Sequence, residues 1–114
     1  MPHCIIEYTR DLEERIDIKS LINITFEAIE GSGLFDKTAI KGRAIAFDIY
    51  KSGQDRDDYI HVKMRILSGR TPDQKKQLSA LVLNALKPHI GDTKSLTVEI
   101  IDMDIESYGK SIAE

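Results

Sequence analysis

The sequence predicts an α/β (α+β) domain that runs β-α-β and then β-α-β again, and three observations predict it. Four short runs alternate apolar and polar residues with period two, and two longer ones repeat apolar residues at helical spacing, in the order strand, helix, strand twice over. Landmarks in the two halves keep a nearly constant interval: Ile5 to Ile60 is 55 residues, Asp17 to Thr71 is 54, and Ile40 to Leu96 is 56. Such spacing is what duplication of one β-α-β unit leaves behind. The 114 residues suit one core rather than two. Residues 1–114 are therefore expected to form a single domain, internally duplicated, with its first unit over about 1–54 and its second unit and tail over about 55–114.

The first strand is expected over Pro2 to Tyr8, where Cys4, Ile6 and Tyr8 alternate with Ile5 and Glu7. A charged loop, Arg10 to Arg15, precedes Asp17, a residue type that caps helices, and a helix that lines up Ile18, Leu21, Ile22, Thr25, Phe26 and Ile29. Gly31-Ser32-Gly33 ends it. Ile40, Ile45, Phe47 and Ile49 predict a second strand within Ala39 to Tyr50, with Gly42 marking a bulge or a close approach. After a polar loop, Lys51 to Asp58, the third strand, Tyr59 to Leu67, sets Ile60, Val62, Met64 and Ile66 against Tyr59, His61, Lys63 and Arg65.

Thr71-Pro72-Asp73-Gln74 is the clearest helix start, with an N-cap hydroxyl, proline at the first helical position and glutamine reaching back as a capping box. Leu78, Leu81, Val82, Ala85 and Leu86 are its expected buried stripe, and Pro88 limits it. Leu96 to Asp102 is a fourth strand, and the tail to Glu114 is expected to add a short strand or dock on a neighbour. Two architectures fit this order. One is a ferredoxin-like monomer with two helices on one face of an antiparallel sheet. The other joins two β-α-β halves back to back and buries the remaining sheet face by oligomerisation.

Composition excludes several functions. With 16 Lys+Arg against 19 Asp+Glu, a net charge of −3 and 6% aromatics, the chain lacks the basic footprint of a nucleic-acid binder. The longest uncharged stretch, Gln77 to Leu86, is ten residues, whereas a membrane span needs about 20. Met-Pro-His-Cys-Ile-Ile-Glu does not read as a secretory signal, so a cytoplasmic location is expected. Cys4 has no disulfide partner, and Cys4 with His3, His61 and His89 makes no metal-ligand spacing, so no metal is expected. P-loop, GxGxxG, nucleophile-elbow and CxxC motifs are missing, which removes the common nucleotide, hydrolase and thiol-redox readings.

Four residues stand out as a candidate site. Pro2 follows the initiator Met, whose removal would leave a prolyl secondary amine leading into a buried strand. An apolar pocket and nearby guanidinium groups would depress that amine toward neutrality, and a base poised near pH 7 suits proton transfer through an enol. Arg43, in Ile40-Lys41-Gly42-Arg43, and Arg70, in Ser68-Gly69-Arg70-Thr71 just before a helix N-terminus, have the chemistry to hold an anion such as a carboxylate, the alternative for each being a solvated surface arginine. Lys41 is a further cation beside Arg43. His3 and His61 read as hydrogen-bonded structural residues, Cys4 as a small core residue, and Asp48 and Glu99 as solvated or ion-paired groups.

Met1-Pro2-His3 leading a strand, the duplicated β-α-β, Ile40-Lys41-Gly42-Arg43, and Asp58-Tyr59 leading to Ser68-Gly69-Arg70-Thr71 together make the chain resemble the 5-carboxymethyl-2-hydroxymuconate isomerases of the tautomerase superfamily. The resemblance covers most of the length. It implies a duplicated β-α-β fold of four main strands with two helices on one face, assembled as a homotrimer with sites near subunit boundaries. It also implies Pro2 as catalytic base, arginines corresponding to Arg43 and Arg70 on the carboxylates of a small-molecule substrate, and no cofactor. The expected reaction is enol-to-keto proton transfer on a di- or tricarboxylate from aromatic-acid degradation. Lys41 stands where the family segment is expected to carry arginine, which leaves open whether Lys41 or Arg43 faces the substrate. Two competing readings remain: a non-catalytic ferredoxin-like ligand-binding or regulatory module, and a superfamily member with altered chemistry, such as a dehalogenase or a decarboxylase-like hydratase.

Overall fold

A computed structural model describes residues 1–113. Its four strands are β1 (His3–Thr9), β2 (Lys41–Phe47), β3 (Tyr59–Leu67) and β4 (Ser95–Met103), and its two α-helices are α1 (Ile18–Gly31) and α2 (Pro72–Leu86). They form one sheet in the order β2-β1-β3-β4. β1 runs parallel to β2, β3 runs parallel to β4, and the two parallel pairs meet through the antiparallel β1–β3 seam. Each β-α-β unit thus keeps its two strands adjacent. A ferredoxin-like sheet splits them by inserting a strand from the other half, so the sheet order decides for two halves joined back to back.

Both helices cover the same sheet face, because alternate strand residues point to opposite faces and only one set is apolar throughout. Ile6, Ile60, Val62, Met64 and Ile66 are fully buried against Leu21 and Ile29 of α1 and Leu78, Val82 and Leu86 of α2. The other face carries His3, Ile5 and Glu7 on β1, Lys41, Arg43 and Ile45 on β2, His61, Lys63 and Arg65 on β3, and Thr97 and Glu99 on β4. It is polar except for residues such as Ile5, which is buried, and Ile45, which is 47% exposed.

The helix starts follow the capping signals. Asp17 accepts a hydrogen bond from the Lys19 amide, and the Thr71 hydroxyl accepts from the Gln74 amide at 3.1 Å while Gln74 Oε1 accepts from the Thr71 amide at 2.9 Å, completing the capping box. Gly33, at φ 73°, takes the left-handed turn beyond α1 that side chains disfavour. Gly42 marks a close approach rather than a bulge: a Cβ there would lie 3.0 Å from Ile22 Cγ2 on α1.

Three local expectations differ from the structure. The segment read as a charged loop forms a 3-10 turn, Arg10–Glu14, that drives Leu12 into the core with no exposed surface. β2 stops at Phe47, leaving Ile49 95% exposed. Leu81 is 39% exposed, because the buried stripe of α2 is the narrower Leu78, Val82, Leu86 row. The loop after β2 is tied down at Asp58, which is buried, accepts from the Lys94 amide at 2.8 Å and pairs with Arg56 at 3.2 Å.

Candidate active site

Pro2 is buried, and its carbonyl accepts a hydrogen bond from the Lys41 amide at 3.0 Å, which extends the β1–β2 ladder to the start of β1 and holds the chain there. Lys41 and Arg43 lie two apart on β2 and so share one sheet face, with Lys41 opposite His3 and Arg43 opposite Ile5. The choice between Lys41 and Arg43 is therefore not one of opposite faces. Lys41 Nζ donates to the Thr38 carbonyl at 3.2 Å.

Arg70 approaches from the loop between β3 and α2. Its Nη2 donates to the Leu34 carbonyl at 2.7 Å, and its guanidinium lies 5.1 Å from the centre of the Phe35 ring. Its Nε is buried without a hydrogen-bond partner among the described residues. A donor left over in this way marks a site whose structure is under-satisfied as it stands.

Electrostatics gather these groups at the start of β1. The amine of the half-buried Met1 is held below its usual range, first by burial and then by Lys110, Arg70 and Lys41. His3 is likewise pushed down, first by burial and then by Arg43, the chain-terminal amine, Arg65 and Lys41. Arg10, Arg15 and Arg56 each pair with a carboxylate. Among the described residues, Arg43, Arg65 and Arg70 form no such pair. The arginines without a carboxylate thus all belong to this end of the sheet.

Sequence reasoning missed three participants. Arg65 lies across from His3 on the antiparallel seam. The tail after β4 folds back so that Tyr108 meets His3, with His3 Nε2 and Tyr108 Oη 2.8 Å apart and the rings edge-on. Lys110 follows on the same tail. The register between strands and the return of the tail are tertiary facts, and only the cationic residue types hinted at them. Cys4 is 2% exposed, and burial pushes its thiol up to about 12, which keeps it a protonated core residue. His61 is held by Thr97 at 2.6 Å and Glu99 at 2.8 Å, a structural network on the open face. No group of three or more His, Cys, Asp or Glu side chains suited to a metal ion occurs among the described residues, and no helix among them is long and apolar enough to cross a membrane.

The family model for 5-carboxymethyl-2-hydroxymuconate isomerase matches residues 2–111. The chain belongs to that family. Its activity is accordingly that of an isomerase of the tautomerase kind. An Escherichia coli 5-carboxymethyl-2-hydroxymuconate Delta-isomerase is 22% identical over 108 residues, covering 93% of this chain and 86% of the relative. A crystal structure of a 5-carboxymethyl-2-hydroxymuconate delta-isomerase superposes with a TM-score of 0.80 at 20% identity, over 99% of this chain and 89% of that one. A fused wild-type 4-OT, Q0, described as a symmetric trimer, has the same fold with a TM-score of 0.71 at 17% identity, over 96% of this chain and 90% of that one.

Proposed function

We propose that this isomerase carries out cofactor-independent enol-to-keto proton transfer on an unsaturated di- or tricarboxylate of aromatic-acid (homoprotocatechuate-type) degradation, with Pro2 as general base. The observation that carries the reading is the start of β1. Pro2 is buried and its carbonyl is hydrogen-bonded there, and the amine of the adjacent Met1 is shifted down by burial and by Lys110, Arg70 and Lys41, surroundings that a freed Pro2 amine would share.

Removal of Met1 frees the Pro2 secondary amine. In its neutral form the amine takes the enol O–H proton. The electrons of that bond become the 2-oxo carbonyl, the double bonds shift, and the prolinium returns a proton to the carbon at the far end of the 1,3- or 1,5-system. Substrate and product are isomers, so no oxidant or reductant enters. Arg70 and Arg43, with Lys41, hold carboxylates and stabilise the charge that grows on the 2-oxo oxygen. A neutral base whose conjugate acid returns the proton works best with a pKa near the working pH, which is the direction in which this environment pushes.

The same reading takes the protein as a cytoplasmic homotrimer of an internally duplicated domain. The trimer is supported by the symmetric trimer of the Q0 fold relative and by Ile45 exposed on the open sheet face. The test is ketonisation of 5-carboxymethyl-2-hydroxymuconate by untagged protein whose loss of Met1 is verified by intact mass, with Pro2→Ala alongside. The variant should lose roughly a hundred- to ten-thousand-fold in kcat, the usual worth of a positioned base, while circular dichroism and oligomeric mass stay unchanged. Equal turnover by both proteins refutes the proline mechanism.

A further inference from the structure

Beside the start of β1, on the open face of the sheet, lies a cleft of about 470 Å³ lined by His3, Arg43, Arg65, Ser107 and Tyr108, with Asp102, Met103 and Asp104 at the end of β4 completing the wall. We propose that this cleft is a second anion subsite, in which Arg65 and the Tyr108 hydroxyl join Arg43 to bind a substrate carboxylate remote from the reacting enol.

The hydrogen-bond order in the cleft fixes which donors are free. Arg43 has only donors, so at the 3.1 Å contact between its Nη1 and His3 Nδ1 the imidazole must accept. Neutral His3 then carries its proton on Nε2 and donates it to Tyr108 Oη at 2.8 Å. The Tyr108 oxygen is thereby an acceptor from His3, and its own O–H is left to donate to a ligand. Arg65 is exposed and has neither an ion pair nor a side-chain hydrogen bond among the described residues.

The acids on the rim are engaged elsewhere. Asp102 pairs with Lys75 at 3.0 Å, and Asp104 Oδ1 accepts from the Glu106 amide while capping the turn Ile105–Ser107. Ser107 Oγ donates to the Asp104 carbonyl. The free polar hydrogens of the cleft therefore belong to two guanidinium groups and a phenol, a donor set that matches a carboxylate's two oxygens.

This subsite rests on the proposal that the start of β1 is the active site, and its test is chosen to fail separately from the proline mechanism. Glutarate, a non-reactive dicarboxylate, is titrated at constant ionic strength into Pro2→Ala protein while the ring signals of His3 and Tyr108 are followed by NMR. Both should shift, and Arg65→Met, a change on an exposed strand position, should raise the glutarate Kd by about ten- to a hundredfold. Tyr108→Phe should weaken binding less, because the guanidinium groups remain. In turnover, Arg65→Met should raise KM for the natural polyacid, with no change for an analogue whose remote carboxylate is replaced by a neutral amide. Unmoved His3 and Tyr108 signals, an unchanged Kd in Arg65→Met, or an equal KM effect on both substrates overturns the subsite. Undiminished turnover by Pro2→Ala, by contrast, refutes only the base.

Discussion

Replacing Gly42 should disturb stability and substrate binding together, because the residue separates Lys41 from Arg43 and lies against α1. An ideal Cβ at this position would be 3.0 Å from Ile22 Cγ2, whereas carbon atoms pack best at roughly 3.5 to 4.0 Å. Gly42→Ala therefore asks Ile22 to give by a few tenths of an ångström. Gly42→Val adds two further methyl groups in the same gap and should cost about 1–3 kcal/mol as an overpacked contact. For a domain of this length each kcal/mol lowers Tm by about 4 °C, so calorimetry at fixed protomer concentration should find a Tm lower by about 4–12 °C. Because β2 must move away from α1 to relieve the clash, KM should rise more than kcat falls. The control is Ile22→Leu, which has no branch at Cβ. Combined with Gly42→Ala it should restore more stability than the sum of the single changes allows, a coupling of about 0.5 kcal/mol or more. An unchanged Tm in Gly42→Val, or strictly additive losses in the double variant, refutes the close-approach argument.

Two further outcomes follow from the charges around β1. The folded-state pKa of His3 lies below its ordinary value of 6.5, through burial and the neighbouring Arg43, chain-terminal amine, Arg65 and Lys41. The unfolded chain therefore binds the proton more readily than the native one, so the stability from neutral His3 is fully present above about pH 6.5 and is lost as pH falls toward the native value. Thermal midpoints measured from pH 8 to pH 5 should decline at the acid end, and His3→Gln should flatten that decline. After burial, Lys110 does most to hold the Met1 amine down, and it would act in the same sense on a freed Pro2 amine beside it. Lys110→Met should therefore move the acid limb of the kcat/KM profile to higher pH while the fold is unchanged, and a limb that stays in place would remove Lys110 from the site's electrostatics.

Legibility in the sequence tracked how local each determinant is. α2 could be read to the residue at its start, because Thr71, Pro72 and Gln74 encode their own hydrogen bonds, and β3 ran from Tyr59 to Leu67 as its alternation dictates. β2 was overrun because Ile49 and Tyr50 continue an apolar pattern after the backbone has left the sheet. Leu12 was missed because a five-residue 3-10 turn has no period to detect. The strand order could not be read at all, since the same β-α-β pattern serves a split or an unsplit sheet. Pro2, Lys41, Arg43 and Arg70 were legible as residue types next to recognisable local features: a chain start, a glycine and a helix N-terminus. Arg65, Tyr108 and Lys110 became visible only once the β1–β3 register and the return of the tail were known.

The bond between His3 and Tyr108 joins residues 105 positions apart, so the two walls of the cleft come from opposite stretches of the sequence. The residues that supply one of these walls, Ser107 and Tyr108, come after the last strand, so the sheet and both α-helices are specified by a part of the chain that does not contain them. A chain cut after Met103 would keep every strand and both α-helices and lack Ser107, Tyr108 and Lys110. Its expected defect is in ligand binding, which the glutarate titration reads directly.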